Sequence, residues 1–210
     1  MNEFKPSTGT GLPAGTHVGQ VRLQVSDLAG ALVFYEGLLG FRPASQNGSS
    51  VALSATGRPP HTIVLVERPG APPKPSRTTG LYHAAIRLPA RRALAEILIR
   101  LVAHNWPFQG FADHLVSEAL YLADPDGNGL ELYADRPADR WARQNGQIVM
   151  GTEPLDVENL IAEVGGEHKS WDGLAPGTGI GHVHLHVSDL ARSEAFYHGL
   201  LGLDVTQRGY

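Results

Sequence analysis

The 210-residue sequence contains no cysteine. This absence excludes disulfide bonds, metal sites built on thiolates and a cysteine nucleophile. The sequence also lacks an apolar run long enough to cross a bilayer. Residues 1–15 are rich in Thr, Gly and Pro and have no basic start followed by an apolar segment, so they do not resemble a signal peptide. Together these absences favour a soluble, cytoplasmic protein with no membrane partner.

Charge and catalytic motifs are equally sparse. The net charge is −4, and Lys and Arg are scattered rather than clustered, which argues against nucleic acid as a partner. There is no G-x-S-x-G nucleophile motif and no Gly-rich loop suited to phosphate. What is abundant is histidine, with ten residues. A small-molecule substrate is therefore expected, and the positions of the histidines become the main question.

The strongest positive signal is an internal repeat. Residues 19–43 and residues 181–205 align without a gap, and 14 of their 25 positions are identical. Chance and low complexity do not produce such a match. We therefore expect the two segments to form the same structural unit.

The first copy has the pattern of a strand followed by a helix. Residues 20–25 alternate apolar and polar side chains, as in a half-buried strand. Ser26 and Asp27 offer a helix N-cap, apolar residues follow at helical spacing, and Gly40 stands where a C-cap glycine belongs. Further strands are predicted from residue 41 and at 51–53 and 62–66. The unit is thus βαβββ.

The remaining sequence divides into a second unit, a connection and a third unit. The second βαβββ unit has a strand at 82–88, a helix at 91–104 and strands near 108, at 116–122 and at 129–133. We predict an N-terminal tail at 1–15, a first domain at 16–134 made of units 16–68 and 79–134, a connection at 135–176 with a helix at 157–164, and the start of a third unit at 177–210. The third unit stops before its sheet is complete, so we expect a longer protein with a fourth unit. A short form that borrows strands from a partner chain is the alternative.

Two motifs carry a family resemblance. The module start Val-x-Leu-x-Val-Ser-Asp-Leu, followed by Phe-Tyr-x-Gly-Leu-Leu-Gly, is similar to that of the vicinal oxygen chelate superfamily. The stretch at 113–128, with Glu131-Leu132-Tyr133 after it, resembles the bacterial two-domain catechol 2,3-dioxygenases in particular. This resemblance implies an α+β fold in which βαβββ modules pair into a curved, half-open β-sheet that cups a metal.

The resemblance also implies the metal ligands. His83 and Glu131 match the ligands of the second unit, and the third ligand depends on which units pair. Pairing of units one and two would bring in Gln20, whereas pairing of units two and three would bring in His182. We favour His182, because two histidines and one carboxylate suit Fe(II) that must bind O₂, and glutamine is a poor ligand for such an iron. Mn, Ni or Zn are alternatives to Fe(II).

Two further residues carry over from the extradiol pattern. Tyr121 lies ten residues before Glu131, and the resemblance implies that it hydrogen-bonds a substrate oxygen. His114 follows Asp113 and is the candidate acid/base. The structural alternatives are a sheet tyrosine and a loop histidine.

Three functions follow, in order of preference. The first is an Fe(II)-dependent extradiol dioxygenase that cleaves catechol or a substituted catechol with O₂, and that forms a homo-oligomer. The second is a glyoxalase-like isomerase or thiol transferase, in which Glu67 could serve as a fourth ligand. The third is a metal-free protein that binds a small molecule of the bleomycin type.

Overall fold

The first repeat unit forms a four-stranded sheet. The computed structural model describes residues 11–13, 15–72, 74–75, 77–165 and 171–208. The elements of this unit are β1 (Val21–Val25), α1 (Leu28–Leu32), β2 (Arg42–Asn47), β3 (Ser50–Ser54) and β4 (Ile63–Glu67). The strand order is β1-β4-β3-β2, in which β1 and β4 are parallel and the other neighbours antiparallel.

The second unit repeats this topology with an unrelated sequence. Its elements are β5 (Gly80–Leu88), α2 (Arg91–Ala103), β6 (Phe108–Asp113), β7 (Ser117–Ala123) and β8 (Gly129–Asp135). The order β5-β8-β7-β6, with β5 parallel to β8, matches the first unit strand for strand. The predicted α+β architecture of βαβββ modules is confirmed.

The third unit contributes a strand to the sheet of the second. After the short strands β9 (Arg143–Gln144) and β10 (Gln147–Ile148) and the helix α3 (Val157–Ala162) come β11 (Gly179–His186) and α4 (Leu190–Glu194). β11 pairs antiparallel with β5 and extends the second sheet to five strands, β11-β5-β8-β7-β6. The domain boundary after residue 134 stays a prediction, but main-chain hydrogen bonds clearly cross it.

The helix of each repeat copy ends in a π-helical turn. The α-helical part of the first copy is five residues long and continues as a π-helix at Val33–Leu38, and the third unit repeats this at Ala195–Leu200. As predicted, Asp27 caps α1 by accepting from the Ala29 N–H, and Gly40 has a positive φ of 84°. The π turn was not predicted, because apolar spacing reports the buried face and not the hydrogen-bond pattern.

One large apolar core joins the first two units and the connection. It includes Leu23 and Leu65 of the first sheet, Ile86 and Leu132 of the second, and Leu160 of α3. Nowhere in the described ranges is a helix both long enough and apolar enough to cross a membrane.

A buried hydrogen bond ties the first unit to the turn before β8. The Tyr35 hydroxyl donates to Asp124 Oδ2 at 2.9 Å, and Asp124 Oδ1 accepts from the N–H groups of Asp126 and Asn128. Burial is the main cause that raises the pKa of Asp124. The turn at 124–128 is therefore hydrogen-bonded to the first repeat unit through Tyr35.

Candidate metal centre

Strand pairing brings three of the predicted site residues together. His83 lies on β5, Glu131 on the adjacent β8 and His182 on β11, at the other side of β5. Ala85 of β5 is in register with both Glu131 and His182. Since side chains alternate along a strand, His83 shares the face of Ala85 and meets the other two there.

The three side chains form a compact cluster. Glu131 Oε2 is 2.9 Å from His83 Nε2 and 3.1 Å from His182 Nε2, and one ligand atom from each residue lies within 4.8 Å of the others. The Glu131 side chain is only 4% exposed, whereas that of His182 is 47% exposed. The cluster is thus closed on the β8 side and open to solvent at the β11 edge.

The electrostatics of the cluster favour an ionised carboxylate. Burial by itself would raise the pKa of Glu131, but the two neighbouring imidazoles, His182 and His83, outweigh it and lower that pKa to about 2. His83 Nε2 is buried and, within the described residues, has no hydrogen-bond partner of acceptable geometry despite its short distance to Glu131. A divalent cation suits a buried imidazole nitrogen without a hydrogen-bond partner beside an ionised carboxylate, because it can bind both the nitrogen and the carboxylate oxygen. The residues present therefore fit a metal ion.

Two glycines allow the strands to approach at this point. A Cβ at Gly129 would overlap the carbonyl oxygen of Tyr82, so only glycine permits the start of β8 to lie against β5. A Cβ at Gly181 would overlap the Tyr133 hydroxyl, and Gly181 coincides with a register shift in β11. Sequence reasoning missed both roles. The signal was a glycine two residues before Glu131 and one directly before His182.

The predicted Tyr121 and His114 lie beside the cluster. Tyr121 is directly across from Glu131 in the β7–β8 pair, and its ring centroid is 5.5 Å from that of His83. The Tyr121 hydroxyl is 2.7 Å from His114 Nε2, and His114 Nδ1 is 2.7 Å from the carbonyl oxygen of Gly151. The connection, which had no predicted part in the site, thus contributes a backbone acceptor.

The two other predicted ligand candidates, Gln20 and Glu67, lie at the first sheet, whereas His184 and His186 of β11 lie beside β5. Gln20 is exposed and directly precedes β1, in the other sheet. Glu67 accepts a hydrogen bond from the Leu28 N–H at 2.9 Å and so caps α1. His184 packs edge-on to His83 at 4.8 Å, and His186 stacks on Tyr82 at 4.4 Å. Burial and the neighbouring imidazoles lower the pKa of His184.

Comparison with known protein families agrees with this architecture. The family described as the glyoxalase/bleomycin resistance protein/dioxygenase superfamily matches residues 17–132. The chain belongs to this superfamily. The resemblance predicted from the module motifs is confirmed.

Two curated relatives are similar in sequence. Catechol-2,3-dioxygenase of Bacillus subtilis (strain 168) is 44% identical over 198 residues, which cover 93% of this chain and 68% of the relative. Biphenyl-2,3-diol 1,2-dioxygenase 3 of Rhodococcus globerulus is 30% identical over 115 residues, covering 54% of this chain and 60% of the relative. This superfamily member thus resembles a protein named as a catechol-2,3-dioxygenase over most of its length.

A solved structure supports the fold alone. The crystal structure of a glyoxalase/dioxygenase from Nostoc punctiforme superposes with a TM-score of 0.51 at 18% identity, covering 62% of this chain and all of that one. Its low identity carries no information about substrate.

Proposed function

We propose that this superfamily member is an extradiol ring-cleaving dioxygenase that acts on catechol or a substituted catechol. In this proposal His83, Glu131 and His182 hold Fe(II). The observation that carries it is the buried, ionised carboxylate between two imidazoles, with an open side at the β11 edge. The likeness to two dioxygenases named for diol substrates supports the same reaction class.

The donor set suits the chemistry. Two imidazoles and one carboxylate would hold an iron ion, which when bound would supply open coordination positions for a diol and O₂. Glu131 stays ionised at neutral pH because its pKa is about 2. The half-exposed His182 marks the side from which substrate would enter.

Proton handling falls to Tyr121 and His114. The Tyr121 hydroxyl lies next to the cluster and would hydrogen-bond a diol oxygen. His114 is within hydrogen-bond distance of that hydroxyl, so it would take up or return a proton through Tyr121. Strand β7 holds Tyr121 in place, and hydrogen bonds to Gly151 and Tyr121 hold His114 in the loop before β7, which would orient the substrate without a large rearrangement.

The alternatives have less support. The glyoxalase-like isomerase would gain from a fourth ligand, but Glu67 lies in the other sheet and caps a helix. The metal-free binding protein leaves the Nε2 atom of buried His83 without a role. A cytoplasmic location, a homo-oligomer and Fe(II) as the metal belong to the proposal and stay predictions.

Oxygen uptake tests the proposal. The full chain is loaded anaerobically with Fe(II), its metal content is measured, and O₂ consumption is recorded on addition of catechol and of substituted catechols. We expect uptake with a yellow ring-cleaved product, lost in Glu131→Gln and kept in Glu158→Gln on the exposed face of α3. Bound iron without uptake for any catechol would contradict the dioxygenase, and failure to bind any divalent metal would favour the binding protein.

A further inference from the structure

Both ring nitrogens of His114 are held by hydrogen bonds. The carbonyl oxygen of Gly151, 2.7 Å from Nδ1, can only accept, so Nδ1 must carry the proton. In the neutral ring Nε2 is then the acceptor, and the Tyr121 hydroxyl 2.7 Å away donates to it. The geometry selects one of the two neutral tautomers of His114, and in the one selected Nε2 is the acceptor of the Tyr121 hydroxyl proton.

An ion pair holds the loop that carries His114. The two carboxylate oxygens of Asp113 accept from Arg136 Nη1 at 2.5 Å and Nη2 at 2.7 Å. Asp113 Oδ1 also accepts from the Leu115 N–H at 2.8 Å, where Leu115 has a positive φ of 69°. A non-glycine residue rarely adopts this conformation, so Leu115 needs the hydrogen bond from its N–H to Asp113 to keep it. The ion pair and this hydrogen bond together fix the backbone on both sides of His114.

The same loop fixes the position of the Gly151 carbonyl. Asp113 and Glu153 exchange two main-chain hydrogen bonds of 2.9 Å each, which form an antiparallel bridge between the loop and the connection. Two residues before Glu153, Gly151 therefore lies at a set distance from His114. Asp113 thus helps to position the His114 imidazole in two ways. Its side chain holds the backbone next to His114, and its main chain holds the segment that carries the Gly151 carbonyl oxygen.

A second arginine provides a matched control. Arg91 binds the buried Glu118 with two hydrogen bonds, just as Arg136 binds Asp113, and Arg136 also reaches Glu118 at 3.4 Å. Both arginines therefore serve one network of charges around β7. Only Arg136 contacts the residue that precedes His114.

We propose that Asp113 and Arg136 are positioning residues that, with the Gly151 carbonyl, hold His114 as the Nδ1–H tautomer with Nε2 accepting from Tyr121. This inference rests on the proposed dioxygenase function for its catalytic meaning. When Nε2 gains a proton, the imidazolium keeps acceptors at both nitrogens, Gly151 O and the Tyr121 oxygen. His114 can therefore exchange a proton without turning its ring, which is the advantage of orienting a base through a third group.

Nuclear magnetic resonance tests the tautomer without any activity. Long-range ¹H–¹⁵N spectra of the full chain, metal-free and loaded with diamagnetic Zn²⁺, report which ring nitrogen of each histidine is protonated. The His114 signals are assigned by their loss in His114→Gln. We expect protonated Nδ1 and unprotonated Nε2 in the wild type, a mixture of tautomers in Arg136→Lys, and the wild-type pattern in Arg91→Lys. A wild-type His114 protonated at Nε2 would overturn the inference.

Kinetics of the Fe(II)-loaded protein supply the second arm. Lysine keeps the charge but cannot bind a carboxylate with two parallel hydrogen bonds, so Arg136→Lys should lower kcat about ten- to a hundredfold while KM changes by less than about twofold. Arg91→Lys should keep the wild-type kcat, and thermal unfolding checks that each variant is folded. Asp113→Asn, which removes the charge but keeps an acceptor for Leu115, should resemble Arg136→Lys.

The two proposals fail in different ways. An unchanged tautomer and unchanged kcat in both Arg136→Lys and Asp113→Asn would overturn the positioning inference and leave the dioxygenase proposal standing. A wild-type protein that binds iron and consumes no O₂, yet shows the Arg136-dependent tautomer, would overturn the dioxygenase proposal and uphold the positioning of His114.

Discussion

The two copies of the repeat share their local structure and differ in their surroundings. Each forms a strand, a five-residue α-helix and a π-helical turn, and each helix is capped by the corresponding aspartate, Asp27 or Asp189. Yet Phe34 of the first copy is 2% exposed and its counterpart Phe196 is 47% exposed. Local sequence therefore suffices for the local fold, while burial depends on which neighbouring elements the rest of the chain supplies.

The copies also differ on the polar face of their strands. The apolar positions are kept as Val, Leu and Val in both, whereas the three alternating polar positions change from Gln20, Arg22 and Gln24 to His182, His184 and His186. A set of three imidazoles thus appears in the third unit on a strand whose apolar positions are the same as in the first. Sites of this kind are grafted onto a fold without altering it.

The largest expected effect comes from making the third copy resemble the first. His182→Gln removes a proposed ligand, so we expect iron content to fall and oxygen uptake to drop by at least about a hundredfold. Metal analysis and uptake assays measure both. The partner variant Gln20→Ala should keep its iron, and equal loss of metal in the two variants would contradict the assignment of His182.

The buried phenylalanine gives the next largest effect. Phe34→Ala should lower the free energy of unfolding by about 3–5 kcal/mol, because it opens a cavity against Tyr35 and Trp106 in the core. Phe196→Ala should change it by no more than about 0.5 kcal/mol, as is usual for exposed positions. Urea unfolding of both variants measures the difference, and similar losses would mean that Phe196 is buried in solution.

The tyrosines that follow make a smaller contrast. Tyr35→Phe removes a buried hydrogen bond to the Asp124 carboxyl, so we expect a loss of about 1–3 kcal/mol in unfolding free energy. Tyr197→Phe, at the half-buried counterpart, should cost less than about 0.5 kcal/mol. Chemical unfolding at neutral pH decides, and a Tyr35→Phe protein as stable as the wild type would rule out the Asp124 bond as a stabilising contact.

The smallest effect concerns the carboxylate below His182. Because the folded pKa of Glu131 is about 2 and the unfolded value is about 4.3, its ionisation stabilises the fold above the unfolded pKa. That contribution is lost as the pH falls through the folded pKa. The unfolding free energy of the metal-free wild type relative to Glu131→Gln should therefore rise by about 1–2 kcal/mol between pH 3 and pH 5. The unfolding free energy of the wild type relative to Gln20→Ala should show no such pH dependence, because that substitution changes no titrating group.

Much of the fold was predictable because it depends on local pattern. The alternation of apolar and polar residues predicted strands such as β1, and apolar residues at helical spacing predicted α2. Asp27 and Gly40 predicted where the helical segment of the first copy begins and ends. The clustering of His83 with Glu131 followed from family motifs. These features depend on residues close in sequence or on motifs with a fixed order.

The pairing of β11 with β5 was harder to predict. β1 and β11 have the same apolar pattern, so that pattern could not decide which of them would lie beside β5. The Gly151 acceptor was not predictable at all, since a backbone carbonyl is present in every residue and leaves no mark in the sequence. Contacts between main-chain atoms that are distant in sequence could therefore not be predicted from side-chain patterns.

The arrangement of β11 makes strand docking and metal binding reciprocal. His182 reaches the centre only while β11 stays hydrogen-bonded to β5, at one edge of the sheet and after a long connection. By linkage, the free energy that docking of β11 adds to metal affinity equals the free energy by which a bound metal stabilises β11 against local opening. A metal ion held by His83, Glu131 and His182 would therefore keep β11 paired with β5, and the pairing of β11 with β5 would in turn help to hold the ion.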